Sequence, residues 1–318
     1  MKHRLSVALA LFAALSALSC AAEPVRLFLR CGPKTHGPGE HDGPLFLTNW
    51  SRLLADRGAK VDGAIGFPSA TQFDNTDVMV MYCAEGGAIH GEERERLELF
   101  LKRGGGLVVI HDSICGNDPH WWKTVIGGAW EDGHSKWHLD DTALYFTDYA
   151  HPITDGVSNW NFDDEIYWDL HLVSEARILC SAYVPDKRNT KAGRPLPSIY
   201  DVAPQMWTLE RKLPGATAPY RAFVSIPGHR TKSFDFLPFR AVLLRSIAWA
   251  GRRDIDSLCN ADELASLRYH EGGPTAPDKA APSLKVHSDF SLTLIAAEPL
   301  INKPISLDWD SAGRLWVA

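Results

Sequence analysis

The feature that most constrains the fold lies between residues 91 and 111. A charged amphipathic stretch at 91–103 predicts a helix, and three consecutive glycines at 104–106 end it. The run Leu-Val-Val-Ile-His at 107–111 then predicts a strand that is apolar on both faces. Such a strand is typical of a parallel sheet covered by helices on both sides. The chain is therefore predicted to contain an α/β domain.

The rest of the first half repeats this alternation of strand and helix. Apolar runs at 25–31, 59–64 and 77–82 predict three more strands. Residues 45–57 predict a helix between the first two of them. Alternating strands and helices form doubly wound sheets, so we predict three layers with a mainly parallel sheet in the middle. Ligands of such sheets bind beyond the carboxyl ends of the strands, which is where His111 lies.

The second half of the chain is less regular, but it continues the α/β pattern. The predicted elements are strands at 143–147, 177–182 and 222–226 and helices at 239–250 and 262–269. None of these segments has the uninterrupted apolar character of the run at 107–111. Their order relative to the first-half strands is not predicted by the pattern.

Changes in composition indicate the domain boundaries. We assign residues 24–252 to the α/β domain and residues 253–284 to a short helix and a linker rich in proline and alanine. In residues 285–318, the stretch at 290–295 predicts a strand and the stretch at 304–318 predicts two strands joined by a turn. This segment resembles the opening of a sugar-dehydrogenase-type β-propeller. A single hairpin cannot bury its own face, so we expect an incomplete propeller at the front of a longer polypeptide.

The first 22 residues have the pattern of a secretory signal peptide. Lys2 and Arg4 precede an apolar run at 5–18, and small residues follow it. That run is too short to span a membrane. We therefore expect an exported protein, periplasmic or at the cell surface. Two routes of processing stay open, namely simple cleavage or attachment of a lipid anchor at Cys20.

Charge and cysteine usage exclude two classes of protein. The formal net charge is −6 and no basic run follows the N-terminus, so we expect no nucleic-acid partner. Beyond the signal peptide, the cysteines are odd in number and widely spaced, without a Cys-x-x-Cys pair. We therefore expect neither a disulfide framework nor a zinc ribbon in these residues.

Eight short motifs rich in glycine, histidine and aromatic residues follow one another along the chain. They lie at residues 32–41, 104–111, 127–134, 151–154, 164–167, 204–207, 227–229 and 247–250. In this order they resemble the ThuA-like, or trehalose-utilisation, branch of the glutamine-amidotransferase-like superfamily. The resemblance implies a flavodoxin-like, glutamine-amidotransferase-like fold and a carbohydrate substrate.

The resemblance has one departure and one extension. In amidotransferases of the superfamily, the turn after the strand equivalent to 107–111 presents a nucleophilic cysteine. Here the strand ends in His111, Asp112 and Ser113 without a Gly-x-Cys-x-Gly motif, so we expect no glutamine amidotransferase activity. The order of signal peptide, α/β domain and propeller is similar to exported proteins of planctomycete-type bacteria. That similarity implies partner domains in the same polypeptide, a propeller and a haem-binding segment.

Histidines and carboxylates near the predicted strand ends are the candidate functional groups. The predicted catalytic residues are His111, His229, Asp164 and Glu165, which can act as acid and base. The predicted substrate-binding residues are His36, His41, Asp112, Trp137 and Tyr167. The candidate ligands of a divalent metal are His111, His134 and His229.

Two mechanisms and two functions stay open at this stage. A divalent metal can polarise a sugar carbonyl or activate water, or neutral imidazoles can transfer protons directly. The leading hypothesis is hydrolysis or elimination on a glycoside, or on a glycoside already oxidised to a keto sugar. The alternative is a non-catalytic sugar-binding or scaffold module attached to a propeller-type dehydrogenase, in which the histidines only form hydrogen bonds.

Overall fold

A computed structural model describes residues 23–84, 86–184, 202–297, 300–301 and 304–318. The predicted signal peptide, including Cys20, lies outside the described residues. The helices are α1 (Gly43–Asp56), α2 (Ala70–Asp74), α3 (Gly91–Lys102), α4 (Pro119–Ile126), α5 (Leu237–Ala250), α6 (Ala261–Arg268) and α7 (Pro277–Ser283). The strands are β1 (Arg26–Cys31), β2 (Lys60–Ile65), β3 (Val78–Tyr82), β4 (Gly106–Ile110), β5 (Gly128–Ala129), β6 (Lys136–Phe146), β7 (Trp160–Trp168), β8 (His171–Leu172), β9 (Arg177–Tyr183), β10 (Val202–Arg211), β11 (Tyr220–Ser225), β12 (Leu307–Trp309) and β13 (Leu315–Val317). Across this described part of the chain, every helix is too short or too polar to cross a membrane.

A nine-stranded sheet occupies the middle of the domain, in the order β2-β1-β3-β4-β11-β10-β9-β6-β7. The strands from β2 to β11 are parallel neighbours. The strands from β11 to β7 are antiparallel neighbours. The prediction of a mainly parallel sheet is therefore confirmed for one half and wrong for the other. Antiparallel strands need no crossover helix, and no described helix lies between β6 and β7 or between β10 and β11.

Helices cover both faces of this sheet, so the predicted three layers are present. On one face, Phe46 and Trp50 of α1 pack with Phe239 of α5 against the side chains of β1 and β3. On the other face, Phe100 of α3 and Trp122 of α4 pack against the opposite side chains of the same strands. Every residue of β3 and β4 is buried, as the apolar runs at 77–82 and 107–111 predict.

The predicted first-half elements match the structure to within a few residues, and the main omissions lie in the second half. Strands β7 and β10 were not predicted, because β7 carries three consecutive acidic residues and β10 contains a proline, which weakens a strand pattern. The run at 290–295 forms no strand, which corrects that prediction. The linker contains the short helix α7. Strands β12 and β13 form the predicted hairpin, but the propeller stays a prediction.

A buried histidine in the connection after β6 gives the fold a testable pH dependence. The Nδ1 atom of His151 accepts a hydrogen bond from the backbone N–H of Ile153 at 3.2 Å, and its ring packs against Trp249. Burial, together with the nearby Arg177 guanidinium, lowers the pKa of His151 to about 4. In the unfolded chain, the pKa of the His151 imidazole is near 6.5. Between about pH 6.5 and 4, this imidazole therefore binds a proton in the unfolded state but not in the folded state.

We therefore expect acidification from pH 6.5 to 4 to lower the free energy of unfolding by about 3 kcal/mol through this group. The His151→Asn variant keeps an acceptor for Ile153 but cannot titrate. Urea denaturation at several pH values should show a smaller loss of stability for the variant than for the wild type. Identical losses for the two proteins would contradict the assignment.

Candidate active site

Three parallel strands end at the same edge of the sheet, and each leads to a histidine. Strand β4 runs directly into His111, and β11 leads through Pro227 and Gly228 to His229. Strand β1 leads into the loop 32–42, which carries His36 and His41. Because parallel neighbours end on one edge, the fold brings residues from distant parts of the sequence to one place.

His111 is the first residue of the short 3-10 helix (His111–Ile114) that directly follows β4. Its φ is +54°, a left-handed conformation that costs a non-glycine residue about 1–3 kcal/mol. Gly228 faces this turn, where an added Cβ would lie 2.6 Å from Ile110 and 3.3 Å from the Cβ of His111. The glycine therefore allows the loop after β11 to approach His111 closely. His36 and His41 also have left-handed φ values, so backbone strain is concentrated in the site histidines.

Backbone hydrogen bonds join the loop after β1 to the loop after β11. The N–H of His41 donates to the carbonyl of His229 at 3.1 Å, and the N–H of Thr231 donates to Gly39 at 2.8 Å. Glu40 and Arg230 form an antiparallel bridge between them. These contacts place His41 beside His229, although the two residues are 188 positions apart in the sequence.

Strand β7 supplies the acidic residue of the site from the far side of the sheet. Successive side chains of a strand project from opposite faces, so Glu165 and Tyr167 share one face of β7 and Asp164 lies on the other. The face with Glu165 and Tyr167 meets His111. Gln205, in the bulged part of β10, accepts from the N–H of Tyr167 at 3.1 Å and donates to its carbonyl at 2.8 Å. This fully buried amide holds β7 against β10 and so fixes the position of Glu165.

Four ligand atoms converge at the centre of the site. They are Nε2 of His41, Nε2 of His111, Nδ1 of His229 and Oε2 of Glu165, and we call these residues the histidine–glutamate cluster. The atoms of His41 and His229 are 2.8 Å apart, and those of His41 and His111 are 3.1 Å apart. The three pairs His111–His229, His111–Glu165 and His229–Glu165 are each separated by 3.2 Å. All four residues are buried.

The outward-facing ring nitrogens have acceptors of their own. Nδ1 of His111 lies 2.7 Å from the carbonyl oxygen of Ile226, and Nδ1 of His41 lies 2.8 Å from Oδ2 of Asp112. The hydroxyl of Tyr167 donates to the other oxygen of Asp112 at 2.7 Å. These contacts fix the orientation of two imidazoles and place a carboxylate and a phenol beside the cluster.

The two carboxylates of the site, Asp112 and Glu165, stabilise one positive charge at its centre. Burial opposes the ionisation of His111, but Asp112 and Glu165 outweigh it and raise the pKa of His111 to about 9. Burial likewise opposes the ionisation of Glu165, but hydrogen bonds with His111 and His229 lower its pKa to about 2. Burial lowers the pKa of His41. With protons alone, the site therefore holds an imidazolium at His111 between two carboxylates.

The structure brings together most of the predicted site residues. His41, His111, Glu165 and His229 form the cluster, Asp112 and Tyr167 contact it, and the exposed His36 ring lies 3.9 Å from the His41 ring, centroid to centroid. Trp137 is paired with Tyr167 on the neighbouring strand and is 58% exposed.

The structure places two of the predicted site residues, His134 and Asp164, outside the cluster. His134 stacks on His171, with the ring centroids 4.9 Å apart, and it is not among the converging ligand atoms. In the cluster, His41 occupies the ligand position that was predicted for His134. Asp164 is buried, and its carboxylate accepts hydrogen bonds from the backbone N–H groups of Gly228 and His229 and from the Ser233 hydroxyl. It therefore holds the loop that carries His229 and does not face the cluster.

Sequence reasoning missed Gln205 and Glu40 as contributors to the site. Nε2 of His229 faces Oε1 of Glu40 at 3.6 Å. Two signals pointed to Gln205, namely the motif at 204–207 and an amide within a mostly apolar run. The role of Glu40 had no local signal, because it depends on the pairing of two loops.

Comparison with known proteins gives a family for the domain. The sequence profile of the ThuA family, described as trehalose utilisation, matches residues 54–250, more than half of the chain. The matched range includes His111, Glu165 and His229, whereas His41 precedes it. A second profile, a domain of unknown function (DUF7133), matches residues 276–318. No curated protein matches the sequence significantly.

Two solved structures show the same fold at low sequence identity. A ThuA-like protein of Bacteroides uniformis has a TM-score of 0.53 at 16% identity, covering 72% of this chain and 93% of that protein. A ThuA-like protein of Parabacteroides merdae has a TM-score of 0.52 at 20% identity, covering 72% and 90% respectively. At these identities the comparison supports the architecture of the domain.

Proposed function

Because the chain belongs to the ThuA family of trehalose-utilisation proteins, we propose that its α/β domain catalyses hydrolysis or elimination on a carbohydrate. The substrate is a glycoside, or a glycoside already oxidised to a keto sugar. The observation that carries this proposal is the convergence of three imidazoles and a carboxylate in one buried site at the carboxyl ends of the strands. That edge is where α/β sheets bind their ligands.

The chemistry of the cluster suits proton transfer at a sugar. In hydrolysis, a base removes a proton from water while an acid protonates the departing glycosidic oxygen. In elimination from a keto sugar, the base instead removes the proton from the carbon beside the carbonyl, and the glycosidic oxygen leaves from the next carbon. His111 and His229, held against Glu165, are the groups proposed to carry these protons. In the elimination route, the positive charge at the centre of the site stabilises the enolate that forms when the carbon beside the carbonyl loses its proton.

The rim of the site has aromatic and polar groups suited to a sugar ring. We propose that the exposed indole of Trp137 packs on the apolar face of the ring, since a large aromatic surface contributes contact area. We propose that His36 and Asp112, which lie beside His41, bind sugar hydroxyls. A small cavity lined by Thr35, Asp112 and His111 opens beside the cluster.

A glutaminase reaction is not part of the proposal. The turn after β4 carries His111, Asp112 and Ser113 without a Gly-x-Cys-x-Gly motif, and Ser113 is fully buried. The Ser113 hydroxyl lies 3.1 Å from the carbonyl of Met81 and 2.8 Å from that of Cys83. A fully buried hydroxyl with these partners serves the structure of the turn and is not available as a nucleophile.

The function is tested by product analysis with trehalose, other disaccharides and their keto forms. Hydrolysis yields two sugars whose masses add up to substrate plus water, whereas elimination yields one sugar and one dehydrated product. In D2O, the elimination route is also expected to replace the hydrogen beside the keto group with deuterium. We expect turnover of at least one substrate. A rise in melting temperature with sugars, without any product in any reaction, would instead identify a sugar-binding module.

We further propose that the protein is exported and that its hairpin at 304–318 begins a propeller domain. The support is the leader pattern in residues 1–22 and the strand-turn-strand geometry of β12 and β13. The mass of the mature N-terminus tests export, because cleavage removes the leader and lipidation adds acyl mass at Cys20. An uncleaved N-terminus in the native host would contradict export.

A further inference from the structure

We propose that the histidine–glutamate cluster binds one divalent first-row transition-metal ion. The proposal concerns the content of the site and is independent of which sugar, if any, is the substrate. It replaces the predicted ligand His134 with His41 and adds Glu165 as the anionic ligand.

The geometry of the four ligand atoms fits such an ion. A tetrahedral ion with ligand bonds of about 2.0–2.1 Å has its ligand atoms about 3.3 Å from one another. The five measured separations in the cluster lie between 2.8 and 3.2 Å, slightly below that value. The sixth pair, His41 and Glu165, lies within 4.8 Å, so the side chains must shift to bring all six separations to the tetrahedral value.

The outward hydrogen bonds point the lone pairs of the rings toward the centre. The carbonyl of Ile226 can only accept a hydrogen bond, so Nδ1 of His111 carries the proton and Nε2 of the neutral ring carries the lone pair. Asp112, as an ionised acceptor, fixes the same tautomer in His41. Histidine ligands of metals are held in this way by a carboxylate or carbonyl on their other nitrogen.

A proton satisfies this arrangement less well than a metal ion. Even two protons, one on Nε2 of His111 and one on Nδ1 of His229, form one good hydrogen bond each, so at most two of the five pairs of atoms within 3.2 Å are bonded at once. Lone pairs and a carboxylate oxygen at this distance repel one another unless a cation lies between them. An ion at the centre binds all four atoms at once. The strained left-handed conformations of His41 and His111 are consistent with a site whose geometry is dictated by a ligand.

The donor set selects the class of ion. Three imidazole nitrogens and one carboxylate oxygen suit Zn²⁺, Mn²⁺, Fe²⁺ or Co²⁺, whereas Mg²⁺ and Ca²⁺ prefer oxygen ligands alone. The cavity bordered by His41, His111 and Asp112 gives a further ligand access from one side. An ion in this place supplies Lewis acidity, which polarises a carbonyl or lowers the pKa of a bound water.

The test is a metal analysis of the full chain. The protein is stripped with a chelator, reloaded with Zn²⁺, Mn²⁺ or Co²⁺ separately, and analysed for bound metal and for the visible absorption of Co²⁺. We expect about one ion per chain, a higher melting temperature on reloading, and a Co²⁺ spectrum that indicates nitrogen ligands. The Glu165→Gln and His229→Gln variants are expected to lose about 100-fold or more in affinity.

Two further variants keep the test decisive if a ligand variant fails to fold. Asp112→Asn removes the ionised acceptor behind His41 but no proposed ligand, and we expect its metal affinity to fall about 10- to 100-fold. His287→Gln changes an exposed histidine of the C-terminal segment and should leave binding unchanged. Equal affinity of wild type, Glu165→Gln and Asp112→Asn for every ion would overturn the proposal.

Discussion

Replacement of His111 by asparagine is expected to lower turnover about 10³-fold or more, with the domain still folded. His111 contacts both His229 and Glu165 and ends the central strand β4, so its ring is the hub of the site. Asparagine is the appropriate substitute because it tolerates the left-handed backbone that His111 adopts, with φ of +54°. The measurement is the initial rate of product formation on the substrate that the wild type turns over.

Stability distinguishes a functional histidine from a structural one. Metal-free His111→Asn is expected to melt below the metal-free wild type, because it loses the imidazolium between Asp112 and Glu165. Added metal should raise the melting temperature of the wild type only. His90→Asn, at the exposed amino end of α3, is the matched control and should retain full turnover. Undiminished turnover by His111→Asn would remove the proposed catalytic role of the cluster.

The second large effect is expected from Asp164, which does not touch the ligand atoms. Its Oδ1 atom accepts from the N–H groups of Glu165 at 2.7 Å, Gly228 at 3.2 Å and His229 at 3.0 Å. Its Oδ2 atom accepts from the hydroxyl of Ser233. Asp164→Ala leaves these buried donors without a partner, and each unsatisfied donor costs about 1–3 kcal/mol. We therefore expect a loss of about 4 kcal/mol in the free energy of unfolding.

The neighbouring residue provides the control. Asp163 is 42% exposed at its side chain and pairs with Arg230 and Lys232 at the surface, so Asp163→Ala should cost at most about 1 kcal/mol. Urea denaturation of both variants gives the comparison. In Asp164→Ala, metal affinity should fall as well, because the loop that carries His229 loses its anchor. Equal stabilities for the two variants would show that the buried carboxylate does not hold the loop.

Local pattern was sufficient for the parallel half of the fold. Strands β3 and β4 are apolar on both faces, and helices α1 and α3 have the apolar periodicity of elements packed on one side. The position of His111 followed from the same reasoning, because the strand that it ends can only be central and ligands collect at its carboxyl end. The antiparallel half was less predictable, since acidic residues in β7 and a proline in β10 conceal the strands.

Pairing of loops and strands decided the composition of the site. His41 reaches His229 through the bridge between Glu40 and Arg230, and no local pattern encodes that contact. Glu165 reaches His111 because Gln205 holds β7 against a bulge in β10. His134 has the same residue type and a similar motif, yet it stacks on His171 outside the cluster.

The amino-acid sequence by itself determined the elements of the parallel half, the family of the domain and the types of side chain available for its chemistry. These properties depend on periodicity and on short motifs, which neighbouring residues carry. Only the tertiary structure decided which imidazoles and which carboxylate share a centre, and that Asp164 faces away from it. Convergence of atoms within about 3 Å depends on strand order and loop pairing across the whole chain, and these are set by packing of residues far apart in sequence.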